Sequence, residues 1–244
     1  MISDKNRSKW FGASDMKYIM GNWNTETFIK WWNVKLGITE NHFTSDAMKA
    51  GTAYEGRILD FLGVKHRDRQ LRIRKYRLRV NLDGETGLRQ ALLITIPGVD
   101  ENGEPNQAAF VGSHVVEVKT HSAKPYKMPR STWWQVQAQM YATSRKRSWF
   151  TSVVWKIPVI GKAVTWLFSK LGLEDLLKPF DGLVVSYLMM SDDYDNYYNE
   201  IDNERLQIHY VPYDELFIYG EMIPRLIYLS HCLKKRITPN MKGF

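Results

Sequence analysis

Near residue 63 the apolar period of the chain changes from that of a helix to that of a strand, and it changes back near residue 132. The stretch "TSDAMKAGTAYEGRILDFLG" (44–63) repeats Ala47, Ala50, Ala53, Tyr54, Ile58 and Phe61 at helical spacing, with Glu55 at the edge of that face. The stretch "LRIRKYRLRV" (71–80) alternates instead: Leu71, Ile73, Leu78 and Val80 oppose a row of Arg and Lys. That alternation predicts a half-exposed strand with a basic outer face. Repeated switching between the two periods builds helices onto a sheet, an α/β or α+β domain.

The remaining segments fit the same scheme. "SDMKYIMG" predicts a helix with Ser14 as N-cap and Gly21 as its stop, and "TETFIKWWNVKLG" one that runs from Thr25 as N-cap to Gly37. "NLDGETG" reads as a turn, "RQALLITIPG" and "AAFVGSHVVEVKT" as strands joined by the hairpin end "VDENGEPNQ". A helix is predicted over 132–143, a strand over 148–155, a helix over 161–172 and a strand over 182–190. A final helix covers 213–235, with Pro224 as a kink.

Charge narrows the function. The 244 residues carry a formal net charge of +8 and the pI is near 9.4, which points to an acidic partner, most often nucleic acid. Arg72, Arg74, Lys75, Arg77 and Arg79 either solvate an edge strand or track phosphates, and the charge of the chain favours phosphates. The single cysteine, Cys232, excludes an internal disulfide and a cysteine zinc site, and implies a reducing cytoplasm. The opening "MISDKNRSKW" has no apolar core of a signal peptide. Lys156, Lys162 and Lys170 interrupt the apolar segment 153–177, so no membrane span is predicted.

One short strand carries chemistry. In "HVVEVKT", Glu117 and Lys119 point to the same side. Alone they would be a surface ion pair worth less than about 1 kcal/mol. Upstream, however, stand Asp83 and Glu55, and downstream the helix "WWQVQAQM" offers Gln135 or Gln139 on one face. Carboxylates that converge cannot all stay ionised without a cation, and a hard divalent ion such as Mg²⁺ prefers carboxylates and water. Such an ion acidifies its water and stabilises charge on a phosphate oxygen. The neighbouring ammonium then either orients or deprotonates the water, or offsets the charge of the transition state.

The series Glu55 … Asp83-Gly84 … Glu117-Val118-Lys119 … Gln135-Val136-Gln137 resembles the PD-(D/E)xK nucleases. More narrowly it is similar to the lambda-type phage exonucleases, or YqaJ-like viral recombinases. "NRSKWFGASD", "AGTAYEGRI", "LRVNLDGE" and "WWQVQAQMYATSRKRSWF" resemble that family's segments in order, over about residues 6–155 and more weakly 182–235. The turn reads "NLDG" where the family has Ser-Pro-Asp-Gly, and 88–112 and 156–181 look like insertions. The resemblance implies a single nuclease domain over 1–244 with a restriction-endonuclease-like core, a central mixed sheet flanked by helices. It implies that Asp83, Glu117 and the Val118 carbonyl hold Mg²⁺, with Mn²⁺ as a substitute, and that Glu55 is a further ligand. Lys119 would handle the water, and Gln137 would orient the water or Lys119. Arg7 and Ser14 would hold a terminal 5′-phosphate, with Gln135, Arg72, Arg74 and Arg77 completing the DNA contacts. The implied activity is 5′→3′ digestion of linear duplex DNA in phage-type recombination, by a trimer that hands single strands to an annealing protein. An endonuclease on the same fold and a non-catalytic DNA-binding module are the alternatives.

Overall fold

The computed structural model describes residues 9–39, 55–56, 58–60, 62–87, 91–99, 105–111, 113–121, 128–154 and 206–241. The predicted helix over 161–172, the strand over 182–190, the segment 156–181 and Arg7 lie outside these residues.

Eight strands are described: β1 (Phe11–Gly12), β2 (His66–Ile73), β3 (Leu78–Glu85), β4 (Ala91–Val99), β5 (Pro105–Val111), β6 (Val115–His121), β7 (Arg147–Val154) and β8 (Leu206–Pro212). The helices of at least one full turn are α1 (Met16–Ile19), α2 (Glu26–Leu36), α3 (Arg130–Thr143) and α4 (Ile223–Lys235). Residues 58–60 are also helical. Six strands form one mixed sheet in the order β1-β3-β6-β7-β8, with β2 on β3, while β4 and β5 pair with each other in a separate antiparallel ladder. The α/β class expected from the alternating periods is what the chain adopts.

Local chemistry accounts for α2 as predicted. The Thr25 hydroxyl accepts from the Phe28 amide, and Gly37 ends the helix in the left-handed region at φ 71°, where a side chain would be strained. Phe28, Trp31 and Trp32 bury against Phe11 of β1. Leu226 and Leu229 of α4, Val136 and Met140 of α3 and Leu78, Val80 and Leu82 of β3 join the same core.

Four expectations change. The stretch 71–80 is not one strand: β2 ends at Ile73, a 3₁₀ turn covers Arg74–Tyr76, Arg77 adopts φ 51°, and β3 runs back antiparallel. Alternation survived on both sides of the turn, which hid it. In consequence Arg79 is buried, while Arg72, Arg74 and Lys75 are exposed. Asp83 and Gly84 lie within β3, not in a turn. Ser14 is not an N-cap; the Asp15 carboxylate accepts the Gly12 amide at the start of the short 3₁₀ segment Ala13–Asp15. Finally, Pro224 causes no mid-helix kink. It stands in the first turn of α4, after a π-helical turn over Ile218–Met222 that widens the backbone where a proline ring would meet the carbonyl four residues back.

Gly84 is a glycine for packing reasons. A Cβ there would lie 2.7 Å from Val64 and 2.9 Å from Leu59, so these two side chains press on β3 at this point. Val116 is on the same face. Its neighbour Glu117 therefore points to the opposite face, toward α3.

Candidate active site

The site forms where the sheet opens. β3 pairs with β1 only at Leu78 and Arg79, and with β6 only at Gly84 and Glu85. Between those short ladders the same edge of β3 has no strand partner among the described residues, and side chains take over the backbone bonding. Gln139 Nε2 donates to the Asn81 carbonyl at 3.4 Å, and Asp83 Oδ2 accepts the Val118 amide at 2.9 Å. The register that sets Gly84 against Val116 sets Asp83 against Glu117.

Glu117 is fully buried, yet both of its oxygens are satisfied. Oε1 accepts from Lys119 Nζ and from Gln135 Nε2, and Oε2 accepts from Gln139 Nε2. The two glutamines are four residues apart on α3, so one face of that helix delivers both. Burial, then the charge of Glu117, push the Asp83 carboxyl well above the usual aspartate range, against the pull of Lys119 and the Val118 amide. Burial also raises Glu55, and Glu117 and Asp68 raise it further, which places Glu55 within electrostatic reach of the pair. For Lys119, burial favours the neutral amine, but Glu117, Asp83 and Glu55 outweigh it, so its proton affinity is raised.

The structure thus brings Asp83, Glu117, Val118 and Lys119 together, with Glu55 in electrostatic reach. Gln135 belongs here, on Glu117, and not among DNA contacts alone. Gln137 does not belong here. Its amide donates to the Pro212 carbonyl at 2.8 Å and accepts the Asp214 amide at 3.0 Å, tying α3 to the end of β8. Alternate helix positions point about 200° apart, so Gln137 cannot share the face of Gln135. Its removal should cost stability: Gln137→Leu leaves the part-buried Pro212 carbonyl and Asp214 amide without their partner, at about 0.5–1.5 kcal/mol each. A melting temperature lowered by several degrees, with an unchanged cleavage rate below the transition, is the expected outcome. A large rate loss at full folding would restore Gln137 to the site.

Sequence reasoning offered Gln139 as an alternative to Gln135 on one helix face but gave it no role of its own. The signal for it was its i+4 spacing from Gln135 on the helix that follows the Glu117 strand. Ser14 is exposed, and the Gly12 amide at the start of this turn is held by Asp15, which also accepts from Trp31 and pairs with Lys35 at 2.7 Å. Arg7, the other half of the 5′-phosphate pocket expected there, lies outside the described residues. Arg72 donates to Gln70 and lies over the Trp10 ring, with 5.6 Å between guanidinium carbon and ring centroid. Arg74 is exposed, and Arg77 is half-buried and donates to the Lys9 carbonyl.

The donor set suits a hard divalent cation. Carboxyls that raise one another's proton affinity in a buried site are relieved by positive charge, and Gln139 Oε1 beside Glu117 is buried without a hydrogen-bond donor. The carboxylates do not form a ready cage: among the described residues no group of three or more His, Cys, Asp or Glu side chains is gathered closely enough to hold an ion.

A mixed sheet flanked by helices, with Asp83 and the Glu117–Lys119 pair on adjacent central strands, is an α/β fold. Solved structures of similar fold include two exonucleases. An alkaline exonuclease from Laribacter hongkongensis, LHK-Exo, matches with TM-score 0.52 and 13% identity over 95% of this chain and 91% of that one. A phage-related exonuclease from Haemophilus somnus 129PT matches with TM-score 0.51 and 10% identity over 93% of this chain and 94% of that one. No protein-family model matches the chain, and no curated protein matches it in sequence. No helix among the described residues is long and apolar enough to cross a membrane.

Proposed function

We propose that the chain is a metal-dependent deoxyribonuclease that digests linear duplex DNA from its 5′ ends. The observation that carries this reading is the constellation Asp83, Glu117 and Lys119 at the open edge of β3, with Glu55 in electrostatic reach. Binding alone gives no reason to bury acids that raise one another's proton affinity in a protein of net charge +8. The likeness to exonuclease folds, one of them solved with dAMP, agrees with it.

Asp83, Glu117 and the Val118 carbonyl would hold Mg²⁺, with Glu55 reaching it through water; Mn²⁺ has the same oxygen preference. When bound, the ion supplies an acidified water and a positive charge beside the scissile phosphate. Lys119 adds a second cation, aimed by its bond to Glu117. Its raised proton affinity makes it a charge-offsetting group more than a base. Gln135 and Gln139 hold the Glu117 carboxylate in one orientation, which spares its reorganisation during reaction. Arg72 and Arg74, exposed beside the site-bearing strands, supply phosphate contacts along the duplex.

The test is a digest of linear and of covalently closed plasmid with Mg²⁺. Loss of the linear form alone is expected. Nicking of the closed circle would convert the assignment to an endonuclease, and inertness toward both would leave only DNA binding.

A further inference from the structure

Gln139 does more in this structure than fill the helix face. Its side chain is fully buried. Its Nε2 is spent on Glu117 Oε2 and the Asn81 carbonyl, while its Oε1 has no hydrogen-bond partner among the described residues. A buried amide oxygen left without a donor destabilises the fold. Such groups persist in folded proteins where water or a ligand supplies the donor.

The lone pairs of Glu117 indicate where that donor comes from. A carboxylate has about four acceptor directions, two on each oxygen. Lys119 and Gln135 fill both on Oε1, whereas Gln139 fills one on Oε2. The remaining direction lies on Oε2, the oxygen that the Gln139 amide already holds. A cation taken up on Oε2 brings its own water, and that water has a proton to donate.

On the metal-dependent reading above, we propose that Gln139 is a positioning residue for the divalent cation. It holds Oε2 of Glu117 toward the ion through Nε2, and it accepts a hydrogen bond through Oε1 from a water carried by that ion. Gln135 has no equivalent role, because the oxygen it holds is already filled by Lys119.

The variant Gln139→Met keeps the volume and removes both functions of the amide. Gln139→Asn keeps an amide one methylene short, and serves if the methionine variant does not fold. Folding is checked by circular dichroism. Mg²⁺ is then titrated by calorimetry and by melting temperature, without DNA, and cleavage is measured across Mg²⁺ concentration. The midpoint for Mg²⁺ should rise about 10–100-fold, the range for groups that orient a metal ligand. KM for DNA should not move, and the rate should largely recover at saturating Mg²⁺. Gln137→Leu, on the other face of α3, should leave the Mg²⁺ midpoint in place. A folded Gln139 variant that binds Mg²⁺ within twofold of the unaltered protein overturns the role of Gln139 and leaves the nuclease reading standing. Failure of the unaltered protein to bind Mg²⁺ or Mn²⁺ sinks the metal-dependent reading itself.

Discussion

Lys119→Ala should lower the cleavage rate at least ~10³-fold, the scale of losing one aimed charge from a phosphoryl-transfer site. Duplex binding should persist, because the exposed Arg72 and Arg74 are untouched. The basis is the balance around the ammonium. Burial alone would strip its proton, yet Glu117, Asp83 and Glu55 outweigh burial and keep it charged. Lys119→Arg should recover part of the rate if charge is what matters, since guanidinium remains a cation. Equal inactivity of the Ala and Arg variants would point instead to proton removal by the amine. A rate within tenfold of the unaltered protein for Lys119→Ala would return the residue to an ordinary strand ion pair.

Asp83→Asn should abolish cleavage by a comparable factor and, without divalent cations, make the protein more stable. The amide oxygen of asparagine still accepts the Val118 amide, and the buried charge facing Glu117 is gone. The sign with pH follows. Asp83 and Glu55 have raised proton affinity in the folded state, so their contribution is fully present below the ordinary carboxylate range and is lost as pH rises through their own higher midpoints. Glu85 runs the other way. Burial raises it, but Arg69 and Arg145 at 2.8 and 2.7 Å outweigh burial, so its contribution holds at neutral pH and is lost in acid. In Asp83→Asn the melting temperature at neutral pH should rise, by about 2–4 °C for each kcal/mol regained. The gap to the unaltered protein should close as pH is lowered toward the unfolded-state carboxylate range. A variant less stable at neutral pH would mean that Asp83 is not a strained charge.

The parts of this architecture that could be read from residues were those with local causes. Thr25 and Gly37 bound α2 because capping chemistry acts within a few residues. The Glu117–Lys119 pair was legible because a strand repeats every two residues. The turn at Arg74–Arg77 was hidden because its flanks kept the same alternation, and no glycine or proline marked it. β8 was missed because "LQIHYVP" has mixed polarity and follows an acidic, tyrosine-rich stretch. The choice between Gln135, Gln137 and Gln139 needed the helix phase relative to β6, a tertiary quantity. Gln137 was drawn in by its place in the QVQ triplet, and its partners Pro212 and Asp214 are 75 and 77 residues away.

The bond from the Val118 amide to Asp83 separates two histories that a lineage of such proteins could follow. On the proposed reading Asp83 serves the backbone of β6 as well as the chemistry, whereas Lys119 bonds a side chain of the site and no backbone group. In descendants that abandoned cleavage, selection on folding alone would still require a short acceptor side chain at position 83. Position 119, half-exposed, would be released to drift. Decay should therefore be ordered, with lysine lost first and the position of Asp83 settling on Asp, Asn or Ser. A set of inactive relatives in which position 83 had become Ala or Leu while Lys119 survived would contradict that order.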